Sequence, residues 1–292
     1  MVNYPETSEA TPVESQPTTI PYPEDLYSFD TVANSISGSF AGINDEDIQY
    51  FHQHGYLVIE DAFTAEEVQD AIDGMVHLMD GNNPDFRAIQ FEPKLAKRKD
   101  EMNVDERRDA IRKIFNYVNY EPRLNFLAEH AGLLSVLEKI MEDKPVLFQD
   151  MALVKPPRYG SEKPWHQDCA YFNLQEGTTV VGVWIALDEA TAENGCMHII
   201  PGSHNEGPMI HFKRRDWQIC DTHVPIARDT VVPLPPGGCL FWHGLLHHGS
   251  PVNRTPHRRR ALQFHYKPAG SEEVTTQDRM DVYGSEGKEV DC

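Results

Sequence analysis

The chain has 292 residues, a formal charge of −20 and a pI near 5.0, with 40% hydrophobic and 10% aromatic residues. That is enough apolar material for a core, and too acidic a balance for the basic stripe of a nucleic-acid surface. Five cysteines without a C-x-x-C pair, no signal-peptide pattern and no run approaching the ~18 apolar residues of a membrane span point to a cytoplasmic protein with inert thiols.

Residues 1–40 are rich in Pro, Ser, Thr and Glu and read as a flexible extension, with Tyr22, Tyr27 and Phe29 as local docking points. A single domain is expected over 41–292. Its first helix opens at Asn44 with Asp45, Glu46 and Asp47, runs through Ile48 and Phe51, and ends at Gly55. Tyr56–Ile59 then reads as a strand. Thr64 with Glu67 makes a capping box for a helix from Ala65 to about Met79. Residues 81–103 read as loop with some helix. Helical spacing returns over 107–118, and Pro122 opens a helix carrying Leu124, Leu127, Leu133, Leu137 and Ile140, with Gly132 as its break. Beyond Lys144 the texture changes to short β-rich runs at 146–154, 179–187, 197–200, 231–234, 239–242 and 259–266. Helices first and strands second predict a helical layer packed on a β barrel or sandwich.

Within this β region the sharpest feature is Trp165-His166-Gln167-Asp168. On an extended chain, His166 and Asp168 share one face and Gln167 takes the other. An imidazole beside a carboxylate supplies two of the three ligands of the non-haem Fe(II) facial triad. Alone, H-x-D more often describes a surface histidine beside a capping aspartate. A second segment, 237–253, leads from a glycine turn through an apolar strand into His243, His247 and His248. Any of these three could complete the set in a barrel that brings distant strands together.

The ordered set of H-x-D, the H-G-S-x-x-N run that starts at His248, and a following arginine resembles the phytanoyl-CoA dioxygenase family of Fe(II)/2-oxoglutarate-dependent oxygenases. The resemblance extends through FHQHGYLVI at 51–59, GVWIALD at 182–188 and ENGCMHIIPGSH at 193–204. It implies a mainly β fold with flanking helices, a double-stranded β-helix (jelly-roll, cupin-like) supported by an N-terminal helical layer. It implies Fe(II), 2-oxoglutarate as co-substrate and O2, with succinate and CO2 released as a small organic substrate is hydroxylated. His248 becomes the third ligand beside His166 and Asp168, because it alone opens H-G-S-x-x-N.

The resemblance assigns Arg259, eleven residues further on, to the far carboxylate of 2-oxoglutarate, a role suited to a permanently charged fork. Strand alternation puts Arg259 with Ala261, Gln263 and His265, apart from Arg258 and Arg260. Lys113, Met151, Trp184 and Ser250 match positions around the co-substrate; a helix-surface charge, core packing and a turn cap are their structural alternatives. A carboxylate at 168 favours hydroxylation over halogenation. Gln167, Tyr171, Phe172 and Trp217 are candidates for the substrate wall and suggest a partly apolar small molecule. His247 is expected at the barrel rim, His204 in a structural turn, and Lys213, Arg214 and Arg215 in a solvated loop. The rival functions are a cupin-like metal enzyme that does not use 2-oxoglutarate and a catalytically silent binding protein. Arg259 and Ser250 speak against the first, the complete ligand set against the second.

Overall fold

Period-two alternation of apolar residues decides the architecture, because each strand must bury one face under helices and the other against a second sheet. In the computed structural model, residues 22–284 except Lys94 and Lys99 are described. In chain order the helices and strands are α1 (Asp45–His54), β1 (Tyr56–Ile59), α2 (Ala65–Met79), β2 (Ile89–Phe91), α3 (Val104–Ala110) and β3 (Ile111–Phe115). They continue with α4 (Pro122–Ala128), α5 (Ala131–Met141), β4 (Pro145–Lys155), β5 (Lys163–His166), β6 (Val181–Ala186), β7 (Met197–Ile199) and β8 (His211–Lys213). The rest are β9 (Trp217–Ile219), β10 (Thr230–Val232), β11 (Cys239–His243), β12 (His248–Ser250), β13 (Arg259–Pro268) and α6 (Thr276–Tyr283).

The larger sheet has the order β1-β11-β6-β13-β4-β3-β2 and the smaller β10-β7-β12-β5, while β8 and β9 form a separate hairpin. Every pairing between these strands is antiparallel. The expected class is found, mainly β with flanking helices. On β6, Val181, Val183 and Ile185 face a core shared with Val68, Ala71, Met75 and Leu78 of α2 and Leu133, Leu137 and Ile140 of α5. Trp184 and Ala186 of the same strand face the second sheet. β13 follows the rule with one difference. Leu262, Phe264 and Tyr266 turn to the helices, but its inner row carries Arg259, Gln263 and His265 beside Ala261. A polar row inside an otherwise apolar barrel marks where a site sits.

The six β-rich runs all contain a strand, with ends shifted by one or two residues. The helix expected over 107–118 is corrected. Asn103 and Glu106 cap a shorter helix that stops at Ala110, and the chain then enters β3, pairing Lys113 with Leu153 and Phe115 with Met151. Tertiary pairing of β-branched Ile111 and Ile114 overrides a spacing that helix and buried strand share. The break expected at Gly132 falls instead at Glu129 and His130. Gly132 lies inside α5, where a Cβ would come within 2.8 Å of Phe40, so the glycine admits a ring rather than ending a helix. Of the four described cysteines, Cys169, Cys196 and Cys239 are free thiols. Cys220 is disulfide-bonded, which corrects the expectation of inert thiols there.

Of the extension expected at 1–40, residues 1–21 lie outside the described residues. From Tyr22 onward the chain is fastened to the barrel. Trp165 Nε1 donates to the Leu26 carbonyl at 3.1 Å, and Tyr27 stacks on the Trp165 ring with centroids 5.4 Å apart. The Ser28 amide donates to Asp229 at 2.7 Å, and Ala33 to the Val231 carbonyl at 2.8 Å.

Gly182 of β6 lies opposite Trp242 of β11, and a methyl group at Gly182 would overlap the indole ring. Gly182→Ala should therefore cost about 1–3 kcal/mol of stability through overpacking. A denaturant midpoint equal to that of the parent chain would show that the indole is free to move.

Candidate metal centre

Two strands of the smaller sheet carry the histidines. β5 ends on His166, β12 begins on His248, and the register sets these residues directly opposite each other. Their rings lie 4.1 Å apart between centroids. Gln167 keeps an extended backbone, φ −114° and ψ 133°, so alternation persists one residue past the strand. Asp168 then opens a short 3-10 turn ending at Tyr171. His166 Nε2 is 3.4 Å from Asp168 Oδ1, and His248 Nε2 is 3.5 Å from Oδ2. The three buried side chains each offer a ligand atom, all within 4.8 Å of one another, and form a candidate metal-binding group among the described residues.

The surroundings fix how these atoms point. His166 Nδ1 donates to the Pro164 carbonyl at 2.8 Å, and His248 Nδ1 to the Leu246 carbonyl at 2.9 Å. A carbonyl can only accept, so each proton sits on Nδ1 and each Nε2 presents a lone pair to the centre. Burial, aided by His248 and Lys163, pushes the His166 imidazole down to about 3, which leaves Nε2 unprotonated at neutral pH. Asp168 Oδ2 accepts from Trp242 Nε1 at 2.8 Å and His265 Nε2 at 2.9 Å. Burial alone would raise the Asp168 carboxyl. The neighbouring His248 and His265 outweigh it and hold the group well below the usual carboxylate range. Two neutral nitrogen donors and one anionic oxygen, with space beside them, form the donor set preferred by Fe(II).

That space is a cavity of about 220 Å³ reaching from Asp168 and His265 to Arg259, Lys113 and Asp216. Arg259 is 1% exposed, yet its Nε and Nη1 have no hydrogen-bond partner among the described residues. The guanidinium carbon sits 5.1 Å from the Trp184 ring centre. Burial pushes Arg259 down to about 10, so it remains charged at neutral pH. A buried cation with unmet donors is costly unless a ligand supplies an anion. Lys155, paired with Arg259 in the register, is satisfied internally. Its Nζ donates to the carbonyls of Ser161 at 2.8 Å, Ser250 at 3.2 Å, and Pro251.

The other anticipated residues divide clearly. Lys113, Met151, Ser250, Tyr171 and Phe172 line the cavity. Trp184 is not in its lining but backs Arg259, with an unpartnered buried Nε1. Burial, then the charges of Lys163 and Arg112, push the Lys113 ammonium down to about 8.

Four placements are corrections. Gln167 turns away from the cavity, donating to the Gly207 and Leu245 carbonyls and accepting from the Met209 amide. Trp217 stacks with His211 instead of lining the site. His247 is buried rather than at a rim. Arg215 is not solvated: it is buried between Glu162 and Asp221, at 2.8 and 2.5 Å. His204 does sit in a turn, its Nε2 donating to the His52 carbonyl at 3.0 Å.

Lys155, Trp242 and the hydrogen bond of His265 escaped the sequence reading. Only His265 left a trace there, by sharing a face with Arg259. Replacing Trp242 with Phe keeps the ring and deletes one donor to Asp168. Metal affinity should fall about 10–100-fold, as read by anaerobic Fe(II) titration, with the far-UV spectrum unchanged. Unaltered affinity would mean that Asp168 needs no such support.

The chain is similar to known proteins. The family profile described as phytanoyl-CoA dioxygenase (PhyH) matches residues 51–261. Phytanoyl-CoA dioxygenase domain-containing protein 1 of Danio rerio is 28% identical over 267 residues, covering 76% of this chain and 89% of that protein. Phytanoyl-CoA dioxygenase 1 of Oryza sativa subsp. japonica is 28% identical over 258 residues, covering 76% and 88%. Among solved structures, EctD from S. alaskensis with 2-oxoglutarate and 5-hydroxyectoine superposes with a TM-score of 0.65 at 25% identity, over 84% of this chain and 80% of that one. The non-heme alpha ketoglutarate dependent carbocyclase SnoK from nogalamycin biosynthesis gives 0.62 at 18% identity, over 84% and 92%, and shares the fold. With the profile spanning most of the chain, this protein belongs to the phytanoyl-CoA dioxygenase family.

Proposed function

We propose that the protein is an Fe(II)- and 2-oxoglutarate-dependent dioxygenase that hydroxylates an unactivated C–H bond of a small, partly apolar substrate. One observation carries the reading. A buried arginine with two unmet nitrogen donors faces the same cavity as a His-Asp-His cluster. A metal enzyme without a dicarboxylate co-substrate has no use for that charge, and a silent binding protein has no use for lone pairs held by their Nδ1 contacts.

His166, Asp168 and His248 would hold Fe(II). When bound, the metal supplies O2 activation coupled to oxidative decarboxylation of the co-substrate, giving succinate and CO2. The chain's own residues do the positioning. Arg259 receives the far carboxylate through a charge-assisted fork. Trp184 packs against that guanidinium, and the Ser250 hydroxyl and Met151 complete the wall around the co-substrate. Lys113 adds positive charge to the cavity wall beside the co-substrate. Tyr171 and Phe172 line the cavity and exclude water from the reacting C–H.

Asp168→Ala should abolish succinate release. Arg259→Ala should raise the 2-oxoglutarate concentration for half-maximal turnover by about 10–100-fold, the loss of one charged hydrogen-bonded pair at roughly 1.5–3 kcal/mol, with Arg259→Lys in between. Full turnover by the Asp168 variant, or a parental 2-oxoglutarate requirement in the Arg259→Ala variant, would reject the assignment.

A further inference from the structure

Most charges around the cavity are answered by the protein itself. Lys163 donates to Asp216 and to the Tyr171 hydroxyl, both at 2.8 Å. Glu162 takes Arg215 at 2.8 Å and the Tyr27 hydroxyl at 2.9 Å. Glu92 accepts from the Ser161 amide at 3.2 Å and its hydroxyl at 2.7 Å. Lys155 is met by three carbonyls. In the co-substrate reading, Arg259 answers one end of 2-oxoglutarate and the metal the other, with Lys113 on the wall beside them.

Arg112 is left over. It lies in β3 beside Lys113, lines the same cavity and is partly buried. No hydrogen bond or ion pair joins it to any described residue. Its charge bears on Lys113 and Lys155, which repel it, and on the Asp216 carboxylate, which Lys163 already holds, so three cations share one wall of a chain carrying a net −20. Like charges held together repel, and the repulsion ends when an anion is shared among them. The co-substrate's two charges are already placed, so the remaining cation faces the substrate.

We propose that Arg112 is the substrate anchor: its guanidinium receives a carboxylate of a small acid and holds the acid's chain toward Tyr171, Phe172 and the metal. This rests on the co-substrate reading. A carboxylate fits better than a phosphate monoester, because one planar fork matches one carboxylate, whereas a dianion calls for a second free cation.

The test uses full-length protein loaded with Zn(II) and 2-oxoglutarate, so that binding is read without turnover. Calorimetric titration with 3-phenylpropanoate, and with 3-phenylpropanamide of matched shape, isolates the charge. The acid should bind at least ten-fold tighter than the amide. Arg112→Gln should reduce that ratio below two-fold while changing 2-oxoglutarate affinity by less than two-fold, and Arg112→Lys should keep part of the preference. Arg112 makes no hydrogen bond to a described residue, so the variants should melt with the parent; the Lys variant guards against a folding defect in the Gln variant.

Equal binding of acid and amide, no binding of the acid, a preference that survives Arg112→Gln, or tighter binding of phenyl phosphate would each overturn the proposal. An equal loss of 2-oxoglutarate affinity in Arg112→Gln would reassign the residue to the co-substrate. Failure of the co-substrate reading would appear separately, as no 2-oxoglutarate binding by the parent protein, and the acid–amide comparison can be run without it.

Discussion

The carboxylate of Asp168 joins the two halves of the barrel. It follows directly on β5 of the smaller sheet, while both N–H groups on its Oδ2 come from the larger one, Trp242 on β11 and His265 on β13. A buried carboxylate without donors would be costly, and one with two fixed donors is locked in orientation. The same contacts that make the charge tolerable therefore aim the ligand and register one sheet against the other. Gly182 belongs to this arrangement, since its missing side chain is what lets the indole lie over β6.

Charge elsewhere in the barrel is managed by neutralisation. Arg260, adjacent to Arg259, turns outward to Asp188 at 2.6 Å, Arg215 is gripped by Glu162 and Asp221, and Lys163 by Asp216. Against this background a buried Arg259 with free donors is a departure from the local rule. Departures of that kind concentrate at functional sites, because stability alone would remove them. The cavity thus holds an unanswered guanidinium inside a chain of strongly negative net charge, so the total charge of a protein says little about the field in its pocket.

Much of this was legible in the sequence, for identifiable reasons. Strands that bury both faces, such as those at 181–186 and 239–243, announce themselves as apolar runs bounded by turns. The liganding positions follow from alternation in W-H-Q-D and from the family motif at His248. Alternation likewise separated Arg259 from Arg258 and Arg260. Register was not legible. Lys155 faces Arg259, and Trp242 reaches Asp168, only because particular strands are neighbours at particular offsets, and nothing local to either residue encodes the partner. The strand at 111–115 was hidden for a related reason: its apolar spacing suits a helix, and only pairing with β4 decides otherwise. Gln167 shows the converse, since alternation correctly gave it the opposite face from the ligands, and that face is filled by the 207–209 and 245 backbone instead of substrate.

The two ends of the cavity differ in how they are built. The metal and Arg259 depend on β5, β11, β12 and β13, strands packed between sheets and helices, where a shift in one side chain disturbs its neighbours. The opposite wall comes from β3, from the turn at 168–171 and from the hairpin of β8 and β9, which is tied to the barrel by Lys163–Asp216 and by the Tyr171 hydroxyl donating to the Trp217 carbonyl. Side chains that point into the cavity from these elements can change at less cost to the core than those packed between the two sheets. Solved structures sharing this fold include proteins described as a carbocyclase and an epimerase, so the scaffold tolerates different outcomes. Substrate selection is then a property of this wall, and Arg112, on it and in no ion pair with a described residue, is where a change of charge would alter the accepted substrate while leaving the metal's ligands in place.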